Sequence, residues 1–94
     1  SGTDAAAFGA DTEASGDNSS AFGQGAVADQ DGATAVGSGA QATGNNATAV
    51  GFGALASQNS ASAFGDNAKA TANDATALGQ DSTASANQST AVGF

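Results

Sequence analysis

The stretch Ala47-Thr48-Ala49-Val50-Gly51-Phe52-Gly53-Ala54-Leu55-Ala56-Ser57-Gln58-Asn59-Ser60 is one unit of the repeat that decides the fold. Its signature, Ala-[Phe/Val/Leu]-Gly, returns every fourteen residues: Ala7-Phe8-Gly9, Ala21-Phe22-Gly23, Ala35-Val36-Gly37, Ala49-Val50-Gly51, Ala63-Phe64-Gly65, Ala77-Leu78-Gly79 and Ala91-Val92-Gly93. The spacing never slips by a residue. A pocket-bearing globular domain has no need of that constraint. A coil stacked on identical coils does, because one extra residue would shift every hydrogen bond of the stack.

With the signature alanine as position one, residues 47–51 and 54–57 each alternate with period two, which predicts two short strands per coil. In the first, Ala47, Ala49 and Gly51 share a face opposite Thr48 and Val50; in the second, Ala54 and Ala56 oppose Leu55 and Ser57. The two all-small faces meet inside the coil. Thr12, Ser19, Ser82 and Ser89 are the interior exceptions to alanine, and they too are small. Such a lining lets the two layers approach closer than the roughly 10 Å usual between packed sheets. The reversals fall on Gly51-Phe52-Gly53 and Gln58-Asn59-Ser60, since Gly, Asn and Asp tolerate positive φ. Position eleven is Asn or Asp throughout (Asp17, Asp31, Asn45, Asn59, Asn73 and Asn87) and is read as turn chemistry. A helix is not expected, because no 3.6-residue apolar stripe exists and glycine recurs throughout.

The fold class is therefore all-β, a parallel solenoid of 14-residue coils with two short strands each. Six full repeats cover residues 7–90 of one segment, 1–94, with partial repeats at both ends, and the chain reads as an excerpt from a longer array. Large core-forming residues are scarce: five Phe, two Leu, and no Met, Trp, Tyr or Ile. Alanine supplies most of the apolar content, and burying one CH2-sized group contributes only about 0.8 kcal/mol. Strict periodicity argues against disorder, while so thin a core argues against a stable monomer.

The largest regular apolar residues point outward. Phe8, Phe22, Val36, Val50, Phe64, Leu78 and Val92 form a ladder up one sheet, stepping about 4.8 Å per coil. Left in water, it would be a large apolar patch. The other sheet shows Glu13, Val27, Gln41, Leu55, Lys69 and Thr83, a mixture typical of a solvated face. One sheet is thus expected to be wet and the other to pack against further chains.

Asn18-Ser19-Ser20-Ala21-Phe22-Gly23 resembles the Asn-Ser-Val-Ala-Ile-Gly repeat of trimeric autotransporter adhesin heads of the YadA-like class. Asn46-Ala47-Thr48-Ala49-Val50-Gly51 and Gln88-Ser89-Thr90-Ala91-Val92-Gly93 are looser copies, with Thr in place of Val at position fourteen. The resemblance spans essentially the whole chain. It implies a left-handed parallel β-roll, with three chains side by side, carried on the bacterial outer membrane above a coiled-coil stalk. It further implies a homotrimer that binds host extracellular matrix or host cell-surface molecules, with the seven ladder residues at the trimer interface.

Other chemistries find little support in the residues. A net charge of −8 with Lys69 as the one basic residue does not provide a nucleic-acid surface. There is no run of about 18 apolar residues and no charged-then-apolar leader, so neither a membrane span nor a signal peptide is expected in this segment. Serine is abundant, but no His or Cys accompanies it, leaving a Ser–Lys69 dyad as the one conceivable nucleophile pair. No catalytic residue, cofactor or metal site is assigned. Asp4, Asp11, Glu13, Asp17, Asp29 and Asp31 crowd the N-terminal coils, and Asp17 and Asp31 occupy one position on adjacent coils. Calcium is the functional reading, and a solvated acidic surface is the plainer one. Thr34, Thr48, Thr76 and Thr90 form a threonine row like that of ice-binding solenoids, although a row carrying Phe and Leu lies beside it. Val27, Leu55 and Phe52 are candidate ligand contacts, or else scattered surface apolars or filling between chains. The remaining alternative is a passive spacer that lifts another domain.

Overall fold

The computed structural model describes residues 3–94. Each coil contributes a three-residue strand and a two-residue strand. The longer ones are β1 (Ala6–Phe8), β3 (Ser20–Phe22), β5 (Thr34–Val36), β7 (Thr48–Val50), β9 (Ser62–Phe64), β11 (Thr76–Leu78) and β13 (Thr90–Val92). The shorter ones are β2 (Glu13–Ala14), β4 (Val27–Ala28), β6 (Gln41–Ala42), β8 (Leu55–Ala56), β10 (Lys69–Ala70) and β12 (Thr83–Ala84). Odd-numbered strands form a seven-stranded sheet in chain order, and even-numbered strands form a six-stranded one. All pairings are parallel and shift by fourteen residues, as in Ala35↔Ala49 and Ala42↔Ala56. The chain is a parallel β-solenoid of about six turns.

The alternation predicted from sequence holds on both strands. Ala21, Ala35, Ala49, Ala63 and Ala77 from position one are fully buried, as are Ala26, Ala40, Ala54 and Ala68 from position six. Positions eight and thirteen complete the lining, with Ala28, Ala42, Ala56 and Ala70 facing Ala33, Ala47, Ala61 and Ala75. The interior is thus one methyl group deep on each side. Chain extents of 32 × 20 × 11 Å describe the thin slab that results.

Hydroxyls enter this lining because the backbone already offers them an acceptor. Ser19 Oγ donates to Gly16 O at 2.6 Å and Ser82 Oγ to Gly79 O at 2.8 Å. Thr12 Oγ1 does the same to Gly9 O at 2.9 Å. The first two carbonyls also accept the backbone N–H groups of Ser19 and Ser82 at 3.2 Å. A buried hydroxyl with a partner costs little, whereas one without would cost about 1–3 kcal/mol.

The two reversals are built alike. At position five, Asp11, Asn67 and Asp81 have φ of 58°, 59° and 61°, and Gly25, Gly39 and Gly53 have φ of 70°, 71° and 67°. At position twelve the same left-handed conformation holds Asn18, Asn46, Ser60, Asp74 and Gln88 at 57–61°. Six residues come between positions five and twelve, so each coil is two quasi-equivalent seven-residue halves. In each half the residue after the left-handed one donates back three residues, as Ala54 N does to Gly51 O and Ala61 N to Gln58 O. This corrects the sequence reading of the second turn: the left-handed residue is Ser60, not Asn59, and position eleven does other work.

Position three admits glycine alone. Gly51 has φ of +133°, and a Cβ there would lie 2.5 Å from the carbonyl oxygen of Gly65 in the next coil. A side chain would have to wedge two coils apart. Gly51→Ala is therefore expected to lose about 2–4 kcal/mol in denaturant unfolding, combining backbone strain with the clash. Gly25→Asn, in open space at φ +70°, should change stability by less than about 0.5 kcal/mol.

Candidate functional site

The outer faces differ in chemistry, and register makes each a set of columns. On the longer strands, Phe8, Phe22, Val36, Val50, Phe64, Leu78 and Val92 are consecutive register partners. The Phe8 and Phe22 rings stack with centroids 4.9 Å apart and planes 5° from parallel, which is the strand spacing itself. Phe8 is 60% exposed, Leu78 48% and Val92 73%, while Val50 is half-buried. Beside them runs position fourteen, with Ser20, Thr34, Thr48, Ser62 and Thr76 half-buried. Neither column carries a charge.

The shorter strands present Glu13, Val27, Gln41, Leu55, Lys69 and Thr83 in register. Val27 and Leu55 are half-buried and flank Gln41, whereas Lys69 is exposed. Position nine adds a column of Ser15, Asp29, Thr43, Ser57, Thr71 and Ser85. Phe52 lies apart from Val27 and Leu55, in the position-four turn and 64% exposed. The structure thus brings two of the three sequence-level ligand candidates onto one face and leaves the third on a corner.

Two of the acidic residues singled out from sequence, Asp17 and Asp31, have a structural role at one corner. Asp17 Oδ1 accepts from Thr3 N and Asp31 Oδ1 from Asp17 N, both at 3.0 Å, and Asn87 Oδ1 accepts from Asn73 N at 3.3 Å. In these three coils a position-eleven side chain caps the position-eleven amide of the preceding coil. Asn and Asp serve equally because the bond needs only their shared oxygen acceptor. The coincidence of Asp17 and Asp31 on adjacent coils follows from this capping. Among the described residues there is no group of three or more acidic side chains gathered as metal ligands.

The family follows from these observations. A family model, the YadA head domain repeat in two copies, matches residues 1–26, 14–40, 28–54, 42–68, 56–81 and 70–94. Successive matches advance in step with the coils and cover the whole chain. The chain belongs to the YadA head repeat family. Repeats of this family build the heads of surface-exposed trimeric autotransporter adhesins. No curated protein sequence matches the chain. Among the described residues, no helix is long and apolar enough to cross a membrane.

Three substitutions test the corner and the position-nine column of this YadA-type head. Asp31→Ala removes the acceptor of the Asp17 amide and should cost about 1 kcal/mol of stability, while Asp31→Asn keeps it and should be neutral or slightly stabilising. Asp29 has one buried carboxylate oxygen without a hydrogen-bond partner, in a column otherwise made of hydroxyl residues. Asp29→Thr should therefore raise stability by about 1 kcal/mol. Chemical denaturation of the three variants beside the parent reads all of these values.

Proposed function

We propose that this chain is a segment of an adhesin head in which three copies pack through the Phe8-to-Val92 ladder and attach a bacterium to host extracellular matrix or host cells. The observation that carries the reading is the division of the slab into an uncharged face bearing the ladder and a variable face bearing Val27, Gln41, Leu55 and Lys69. Exposed aromatic and aliphatic side chains in one unbroken column favour burial against a partner. With a net charge of −8 per chain, copies approach at least electrostatic cost through the face that has no charge. The number three and the attachment role come from the family.

Function in this reading is binding without catalysis. Repetition makes a rigid column, and three columns present many copies of one shallow contact surface. Avidity then supplies attachment that no single contact could. Val27 and Leu55 are the apolar members of the contact surface. The parent protein would display the column outside the bacterial outer membrane.

Sedimentation equilibrium of the chain should give a trimer. Val50→Asp would place three carboxylates in its centre and should weaken association at least about 100-fold, with loss of folded structure. A well-folded monomeric parent would overturn the buried ladder. Val27→Ser combined with Leu55→Ser should leave the trimer intact but lower adhesion to immobilised matrix several-fold. Unchanged adhesion would make the segment a spacer.

A further inference from the structure

Among the described residues, the exposed large apolar side chains are Phe8, Phe22, Val36, Phe52, Phe64, Leu78, Val92 and Phe94. Every one stands at position two or position four of the repeat. None lies on the shorter-strand sheet or at the position-eleven corner. The most exposed apolar side chains are therefore gathered at one edge of the slab, where the longer strands end and turn through Gly51-Phe52-Gly53 and its equivalents, while Val27 and Leu55 on the other sheet are half-buried. Phe52 shares this edge with the ladder, and Val27 and Leu55 do not.

Charge divides the molecule along the same line. Positions two and fourteen carry no ionisable residue, and Asp66 is the one ionisable residue at position four. The other carboxylates and Lys69 stand at positions five, seven, nine, eleven and twelve. A surface that meets two more copies of a chain of charge −8 gains most where both chains are free of carboxylates. The corner at Phe52 continues the apolar surface of the ladder, with Asp66 the one carboxylate in its column, one coil further on, and the ring itself is 64% exposed.

We propose that the self-association surface wraps around the position-four corner, so that Phe52 is buried against a second copy of this chain and is not a contact for a host ligand. In a three-fold ring each contact joins two different patches. A corner aromatic on one copy then meets a different part of the next, while the position-two ladders face one another around the axis. This inference rests on self-association through the ladder. It adds a second contact, off the axis, and assigns an occupant to Phe52.

Two variants test it. Phe52→Ser introduces the residue type that Ser38 supplies at the same position, and should weaken association at least about tenfold by sedimentation, whereas Leu55→Ser on the opposite sheet should not. Phe52→Trp places the sole tryptophan of the chain at the corner. Its emission should shift to the blue, and its quenching by acrylamide should fall, as concentration rises through the association midpoint. A trimer in which Phe52→Ser associates normally, and in which the indole of the Phe52→Trp variant keeps a water-exposed emission, would overturn this inference while leaving the ladder intact. A chain that is monomeric at every concentration would overturn the ladder and this inference together.

Discussion

An interior one methyl group deep is the constraint from which the rest of this molecule follows. Four small side chains per coil, at positions one, six, eight and thirteen, fill the space between the sheets. A Leu or Phe there would force the layers apart and break the parallel register of every coil above and below. Large apolar residues are thereby expelled to the outer faces. In an ordinary domain the hydrophobic residues make the core of one chain. Here they make a surface, and burial of that surface requires more than one chain.

The same thinness governs the backbone. Parallel coils make their hydrogen bonds to the coils on either side, so the reversals must repeat without drift. Left-handed residues at positions five and twelve and the close glycine contact at position three achieve this. In three coils a position-eleven side chain adds an oxygen for an amide that the backbone ladder leaves over, as Asp31 does for Asp17. Interior hydroxyls are tolerated because those of Thr12, Ser19 and Ser82 fold onto a carbonyl three residues back, and that of Ser89 accepts from the Ala86 amide. Polar residues thus enter a lining of alanine without an unpaired group.

Much of this is legible in the sequence because period-two alternation has one geometric meaning. Ala47 and Ala49 against Thr48 and Val50 divide inside from outside on spacing alone, and the ladder follows. The second turn is less legible. Asn and Asp both accept hydrogen bonds and tolerate positive φ, so their regularity at position eleven points to the left-handed residue. The structure places that conformation one residue later, where Ser60 and Gln88 also adopt it. Variety at position twelve is the signal that could have shown this, since a turn held by its neighbours on both sides can impose φ on residues that rarely choose it. Phe52 is ambiguous for another reason: a corner has no alternation, so sequence spacing does not say which face it joins.

In the proposed head the two faces are under opposed physical demands. A ladder that packs on copies of itself must stay apolar and uncharged at every step, because one carboxylate would recur on each copy around the axis. The shorter-strand face has no such restriction. Glu13, Val27, Gln41, Leu55, Lys69 and Thr83 share a column, yet they share neither size nor charge. Backbone pairing holds the column in place whatever its side chains are. That face can therefore change by substitution without disturbing the coil, provided each residue projects outward from a strand whose inward neighbour remains alanine.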